Sequence, residues 1–202
     1  MKFVFITVCF LIALGSYRFC KSKKDWFWLI IALGFTVVAD FFLILHDWHL
    51  PGVAVFCFAH LAYIVRAISS ATDYNISNQD VKLSATPRFH FWRYTVILIG
   101  LTAILASFFL EVIFVVSGLY AILFIGNICL SARYLGYNRR LTITGLLLFL
   151  ACDICVLIYN LPGYFGAPQW LLGVFPLIWV FYLPSQILIA ISAINFTNWK
   201  SS

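Results

Sequence analysis

The chain has 202 residues, 64% of them hydrophobic and 10% charged, with a mean hydropathy of +1.02 and a formal net charge of +6. That composition excludes a soluble globular domain and describes a chain that crosses a membrane several times. The positive charges are dispersed at the ends of apolar runs, which argues against a nucleic-acid partner and fits anionic lipid headgroups.

Crossing the hydrocarbon of a bilayer takes roughly 17–25 apolar residues as helix. Seven windows qualify, at 2–20, 26–45, 52–69, 93–110, 111–133, 141–160 and 170–194. They predict an all-α polytopic membrane helix bundle of about seven transmembrane helices, forming a single integral membrane domain over 1–202. The first window, with Lys2, an apolar run and small residues at 13–16, has the look of a signal peptide. Cleavage there would leave Arg18, Lys21, Lys23 and Lys24 on the outer side, against the positive-inside rule, so a retained helix is expected.

The second window carries Asp40 deep in its apolar run. His46, Asp47 and His49 follow in a short connection; they are metal-ligand types, but no third imidazole is near, so an interfacial role is expected and no metal. In the third window Phe56, His60 and Tyr63 follow i, i+4, i+7, one stripe of a helix. The connection at 70–92 is the one long polar segment. Asn75-Ile76-Ser77 and Asn195-Phe196-Thr197 are sequons on the expected cytoplasmic side, where neither is glycosylated. Asn127 lies in the fifth window.

The sixth window holds Asp153 inside Cys152-Asp153-Ile154-Cys155. A thiol oxidoreductase of the membrane needs a second, shuttling cysteine pair in a loop; none is present, so these cysteines read as packing residues. The last window carries Trp179, Tyr182 and Gln186 on one side, with Pro184 expected to kink the helix. The tryptophans mostly mark membrane interfaces.

Basic residues set the orientation. Arg18, Lys21, Lys23 and Lys24 flank the first connection, Arg66, Lys82, Arg88 and Arg93 the third, and Arg133, Arg139 and Arg140 the fifth. Lys200 follows the last window and only Lys2 falls on the other side. The amino terminus is therefore expected outside and the carboxyl terminus in the cytoplasm.

At about 1.5 Å of rise per residue, Asp40 falls ~21 Å above the inner end of its span, and Asp153, His60 and Tyr182 ~18 Å along theirs or above the inner face. Tyr63, Gln186 and Asn127 come nearer the cytoplasm. A carboxylate in hydrocarbon costs about 2.5–3.5 kcal/mol on insertion scales, so it has a partner or a task. A desolvated carboxyl stays protonated near neutral pH while a better solvated one stays ionised. That division of roles suits an oxocarbenium-ion intermediate, as in glycoside or vinyl ether hydrolysis. Serine-hydrolase, zinc-protease and phosphate-loop motifs are all missing from the sequence.

Four motifs also carry a resemblance. They are Ala39-Asp40 before Phe41-Phe42-Leu43; Phe56, His60 and Tyr63; Gly145, Phe149 and Cys152-Asp153; and Tyr182, Gln186 and Ile189. In this order and spacing the chain, over about 26–195, resembles the YhhN family, which includes the mammalian lysoplasmalogenases. Ala39 and Cys152 stand where the family has Gly and Ser, and Lys21-Ser22 where it has Lys-Pro. The family's usual eight spans leave room for one more than the seven read here.

The resemblance implies a membrane hydrolase that cleaves the vinyl ether of lysoplasmalogen-like lysophospholipids into a fatty aldehyde and a glycerophospho-head group. Asp40 and Asp153 would be catalytic, and His60, Tyr63, Tyr182, Gln186 and Asn127 would orient them or bind substrate. No cofactor is expected; the partner is a lipid from the bilayer, in the cell membrane. The sequence leaves two alternatives open, a proton-coupled small-molecule transporter and a non-enzymatic membrane scaffold or sensor.

Overall fold

The computed structural model describes residues 2–20, 22–77, 111–135, 138–166 and 168–194. The window at 93–110 and most of the 70–92 connection lie outside them. The described chain is helical: α1 (Lys2–Gly15), α2 (Lys23–Asp40), α3 (His49–Ser77), α4 (Val112–Tyr134), α5 (Arg139–Phe165) and α6 (Phe175–Ile191). Two 3-10 segments, Ser16–Phe19 and Gln169–Val174, extend α1 and lead into α6, and a π-helical turn, Phe41–Leu45, extends α2. Among the described residues five helical runs are long and apolar enough to cross a membrane: Lys23–Leu45, His49–Ser70, Val112–Tyr134, Arg139–Gly163 and Gln169–Ile191. The run Phe3–Phe19 is apolar but shorter. In hydrocarbon every backbone polar group needs an internal partner, and helices supply one within each segment. Their outward faces are apolar, Leu157 and Val180 being about 60% exposed (62% and 60%). This is an all-α polytopic membrane protein.

The chain divides into two compact units, Met1–Lys23 with Tyr137–Ser202, and Lys24–Gly136. In the first, α5 and α6 are antiparallel and touch closely at Gly145. A Cβ there would lie 2.8 Å from Ile189 Cγ1 and 3.1 Å from the Ser185 carbonyl. Small residues let membrane helices approach to van der Waals contact. Asn138, with φ of 48°, precedes α5, and its amide donates to the carbonyls of Ser192 (3.0 Å) and Ile194 (2.6 Å) beyond α6. It thereby satisfies acceptors that a helix end leaves open. α1 also packs on α6, and Cys20 pairs with Ile194 in an isolated bridge. α6 runs as one helix through Pro184, which offers no N–H to the Val180 carbonyl.

In the second unit α3 and α4 run parallel: Phe56 meets Tyr120, and His60 meets Phe124 and Asn127. α2 is tied to α3 by long side chains. Phe35 packs on Phe58, and Arg66 forms a two-pronged ion pair with Asp25, Nε to Oδ1 at 2.8 Å and Nη2 to Oδ2 at 2.9 Å. The Ser70 hydroxyl donates to the same carboxylate at 3.0 Å. Gly52, at the start of α3, passes under Leu43 and the Ala39 carbonyl, where a Cβ would come within 2.5 Å of the Leu43 side chain.

Candidate functional site

The seven residues singled out in the sequence divide between the units. Asp40, His60, Tyr63 and Asn127 belong to one; Asp153, Tyr182 and Gln186 belong to the other.

In the first group Asp40 is 4% exposed and is the last α-helical residue of α2. The π-helical turn begins at the next residue. Such a turn is rare and frequent at functional sites, because it widens the backbone locally and re-aims the side chains around it. Beyond it the chain turns through Asp47, with φ of 56°, and the Trp48 amide donates to the Phe42 carbonyl at 2.9 Å. Phe41, Phe42, His46 and Trp48 gather there in edge and stacked contacts. Asp47 and His49 approach to 3.3 Å and are exposed.

The α3 stripe turns inward as the periodicity requires: Phe56, His60 and Tyr63 are all buried, His60 wholly so. The imidazole stacks on Phe124, with ring centroids 4.3 Å apart and planes 24° apart, and meets Tyr120 at 5.1 Å. Its Nδ1 lies 3.3 Å from the Asn127 amide nitrogen, and the Ser131 hydroxyl donates to the Asn127 amide oxygen at 3.1 Å. Tyr63 neighbours Thr36 of α2 and Arg66 one turn along α3. The stripe therefore continues into Arg66 and Ser70, which hold Asp25.

In the second group Tyr182 is buried against Phe149 (5.7 Å) and lies edge-on to Trp179 (5.9 Å). Ser185 donates to the Tyr182 carbonyl at 2.7 Å, and the Gln186 amide reaches Ser185 Oγ at 3.4 Å. Gln186 is wholly buried, and its Oε1 accepts from no donor among the described residues. A buried acceptor left open costs about 1–3 kcal/mol, so a water or ligand hydrogen is favoured there. Asp153 is half-buried on α5, one turn beyond Phe149. With α5 and α6 antiparallel, it falls level with Trp179.

No disulfide joins the six cysteines, and Cys152 and Cys155 are buried. Three participants escaped the sequence reading: Arg66, counted only as a flanking charge but 1% exposed; Asp25, its partner; and Ser131. Each had a signal in spacing. Arg66 lies three residues past Tyr63 on the stripe, and Ser131 lies four past Asn127, on the same face of α4.

Fold and composition together define a multi-span helical membrane protein with polar side chains buried inside its helical units. The family comparison is specific: the YhhN family model matches residues 1–193, and the chain belongs to the YhhN family. Searches of curated proteins and of solved structures returned no match.

Proposed function

We propose that the protein is a membrane hydrolase that cleaves the vinyl ether bond of lysoplasmalogen-like lysophospholipids in the cell membrane. The observation that supports this most is Asp40, a carboxylic acid 4% exposed, beside a π-helical turn, in a YhhN-family chain. A carboxyl group held there is placed to exchange a proton with a lipid that enters from the bilayer.

The reaction consumes one water. A carboxylic acid gives its proton to the outer carbon of the vinyl ether, the double bond's electron pair forming the new C–H bond, and a lone pair of the ether oxygen stabilises the neighbouring carbon as an oxocarbenium ion. Water adds to that cation and loses its proton to a carboxylate. The resulting hemiacetal breaks its carbon–oxygen bond, releasing a fatty aldehyde and the glycerol hydroxyl of the head group. Asp40 and Asp153 take the acid and carboxylate roles. His60, Tyr63, Asn127, Tyr182 and Gln186 orient those groups or bind the lipid, which enters from the bilayer.

The test uses purified protein in lipid vesicles with a vinyl-ether lysolipid and its saturated alkyl-ether counterpart. The vinyl ether gives aldehyde, and in heavy water that aldehyde carries one deuterium on the carbon next to the carbonyl. The alkyl ether, which cannot be protonated at carbon, is untouched. Movement of an intact solute across the vesicle membrane without aldehyde would instead support the transporter reading.

A further inference from the structure

We propose that Ser131 and Asn127 form a relay that fixes His60 in the neutral tautomer with its hydrogen on Nε2. His60 is then a rigid hydrogen-bond donor and not a proton acceptor at that nitrogen. A carboxamide has an acceptor end and a donor end at a fixed separation. The Ser131 hydroxyl donates to the oxygen of Asn127 at 3.1 Å, which leaves the amide NH2 facing His60 Nδ1 at 3.3 Å. An NH2 group only donates, so Nδ1 accepts. A neutral imidazole has one ring hydrogen, and it sits on Nε2. The imidazolium form is disfavoured for the same reason, since its Nδ1–H would point at a second donor.

The surroundings hold the ring in this setting. Phe124 stacks on the imidazole at 4.3 Å and Tyr120 packs at 5.1 Å, so rotating the ring would place a carbon opposite the amide and lose the bond. His60, Asn127 and Ser131 are all buried. Ser131 is therefore a positioning residue: it acts on His60 only through the amide it orients. The chemistry that Nε2–H selects is an acceptor oxygen, either a carboxylate or an oxygen of the lipid. The geometry stands without the hydrolase reading. Its consequence for turnover, that proton transfer is left to the aspartates, rests on it.

The tautomer is directly readable by nitrogen NMR of histidine-labelled protein in lipid bilayers. The chain has four histidines, and the His60 signals are those lost in His60→Phe. Wild-type protein is expected to show protonated Nε2 and bare Nδ1 at His60 at neutral pH. Ser131→Ala, which releases the amide oxygen, is expected to add the Nδ1–H tautomer, and Ser131→Thr to restore a single species. A wild-type signal from Nδ1–H or imidazolium at neutral pH overturns the proposal. So does Ser131→Ala with one unchanged Nε2–H tautomer. Aldehyde release on the same samples separates the two claims: the Nε2–H signature without aldehyde sustains the relay while overturning the hydrolase reading.

Discussion

Replacing Asp25 with alanine isolates the tie between α2 and α3. Arg66 is buried, with its side chain 2% exposed and that of Asp25 14% exposed, and both prongs of the pair are short, at 2.8 and 2.9 Å. Asp25→Ala removes the carboxylate that both prongs of the buried guanidinium grip and the acceptor of Ser70. Breaking a buried pair from one side costs about 3–5 kcal/mol, because the remaining charge is uncompensated. The partial exposure of Asp25 places the loss near the lower end, about 3 kcal/mol. At about 2–4 °C per kcal/mol, thermal unfolding in detergent should fall by roughly 6–12 °C. The double variant Asp25→Leu with Arg66→Met, which removes both charges and keeps apolar bulk, should recover most of that loss. A single-variant shift under about 1 kcal/mol, the scale of a solvent-exposed pair, would refute the reasoning.

Two further substitutions test the helix packing that carries the polar residues. Gly145→Val places a branched side chain where a Cβ already meets Ile189 at 2.8 Å and the Ser185 carbonyl at 3.1 Å, so α5 and α6 must separate. A loss of about 1–3 kcal/mol is expected in the same melting assay, whereas Gly118→Ala, with open space around it, should be neutral or slightly stabilising. Asn138→Ala loses both bonds to the end of α6 and forces a Cβ residue without a compensating amide into the left-handed region. It should destabilise by about 1–3 kcal/mol, and Asn138→Gly, which adopts that backbone freely, should cost less.

The helices were legible because lipid imposes a simple rule: an apolar run of sufficient length has to be helix. The windows at 26–45, 52–69, 111–133, 141–160 and 170–194 each correspond to a described helical run, offset by a few residues. The 93–110 window lies outside the described residues. The burial of Phe56, His60 and Tyr63 followed from a 3.6-residue period. Three features were hidden for identifiable reasons. Positive-inside counting treats every arginine near a span end as a loop charge, yet Arg66 reaches back to Asp25 across a second helix, a contact of long sequence separation that no local pattern encodes. The π-helical turn after Asp40 leaves no mark in an apolar stretch such as Phe41-Phe42-Leu43-Ile44-Leu45, since hydropathy does not register backbone hydrogen-bond pattern. The partners of Asn127 were hidden because its residue type announces hydrogen bonding but not with what; its amide engages His60 and Ser131.

Asp40 and Asp153, carboxyl groups within apolar helices, are proposed to perform the proton transfers of vinyl ether cleavage. The most direct test is aldehyde release by wild-type protein, Asp40→Asn and Asp153→Asn, each first checked for an unchanged melting temperature. Asparagine keeps the shape and polarity but neither donates an acidic proton nor holds the charge. General acid–base contributions of about 10²–10⁴-fold predict that each variant loses at least a hundredfold in turnover. Folded variants that both release aldehyde at the wild-type rate would contradict the account.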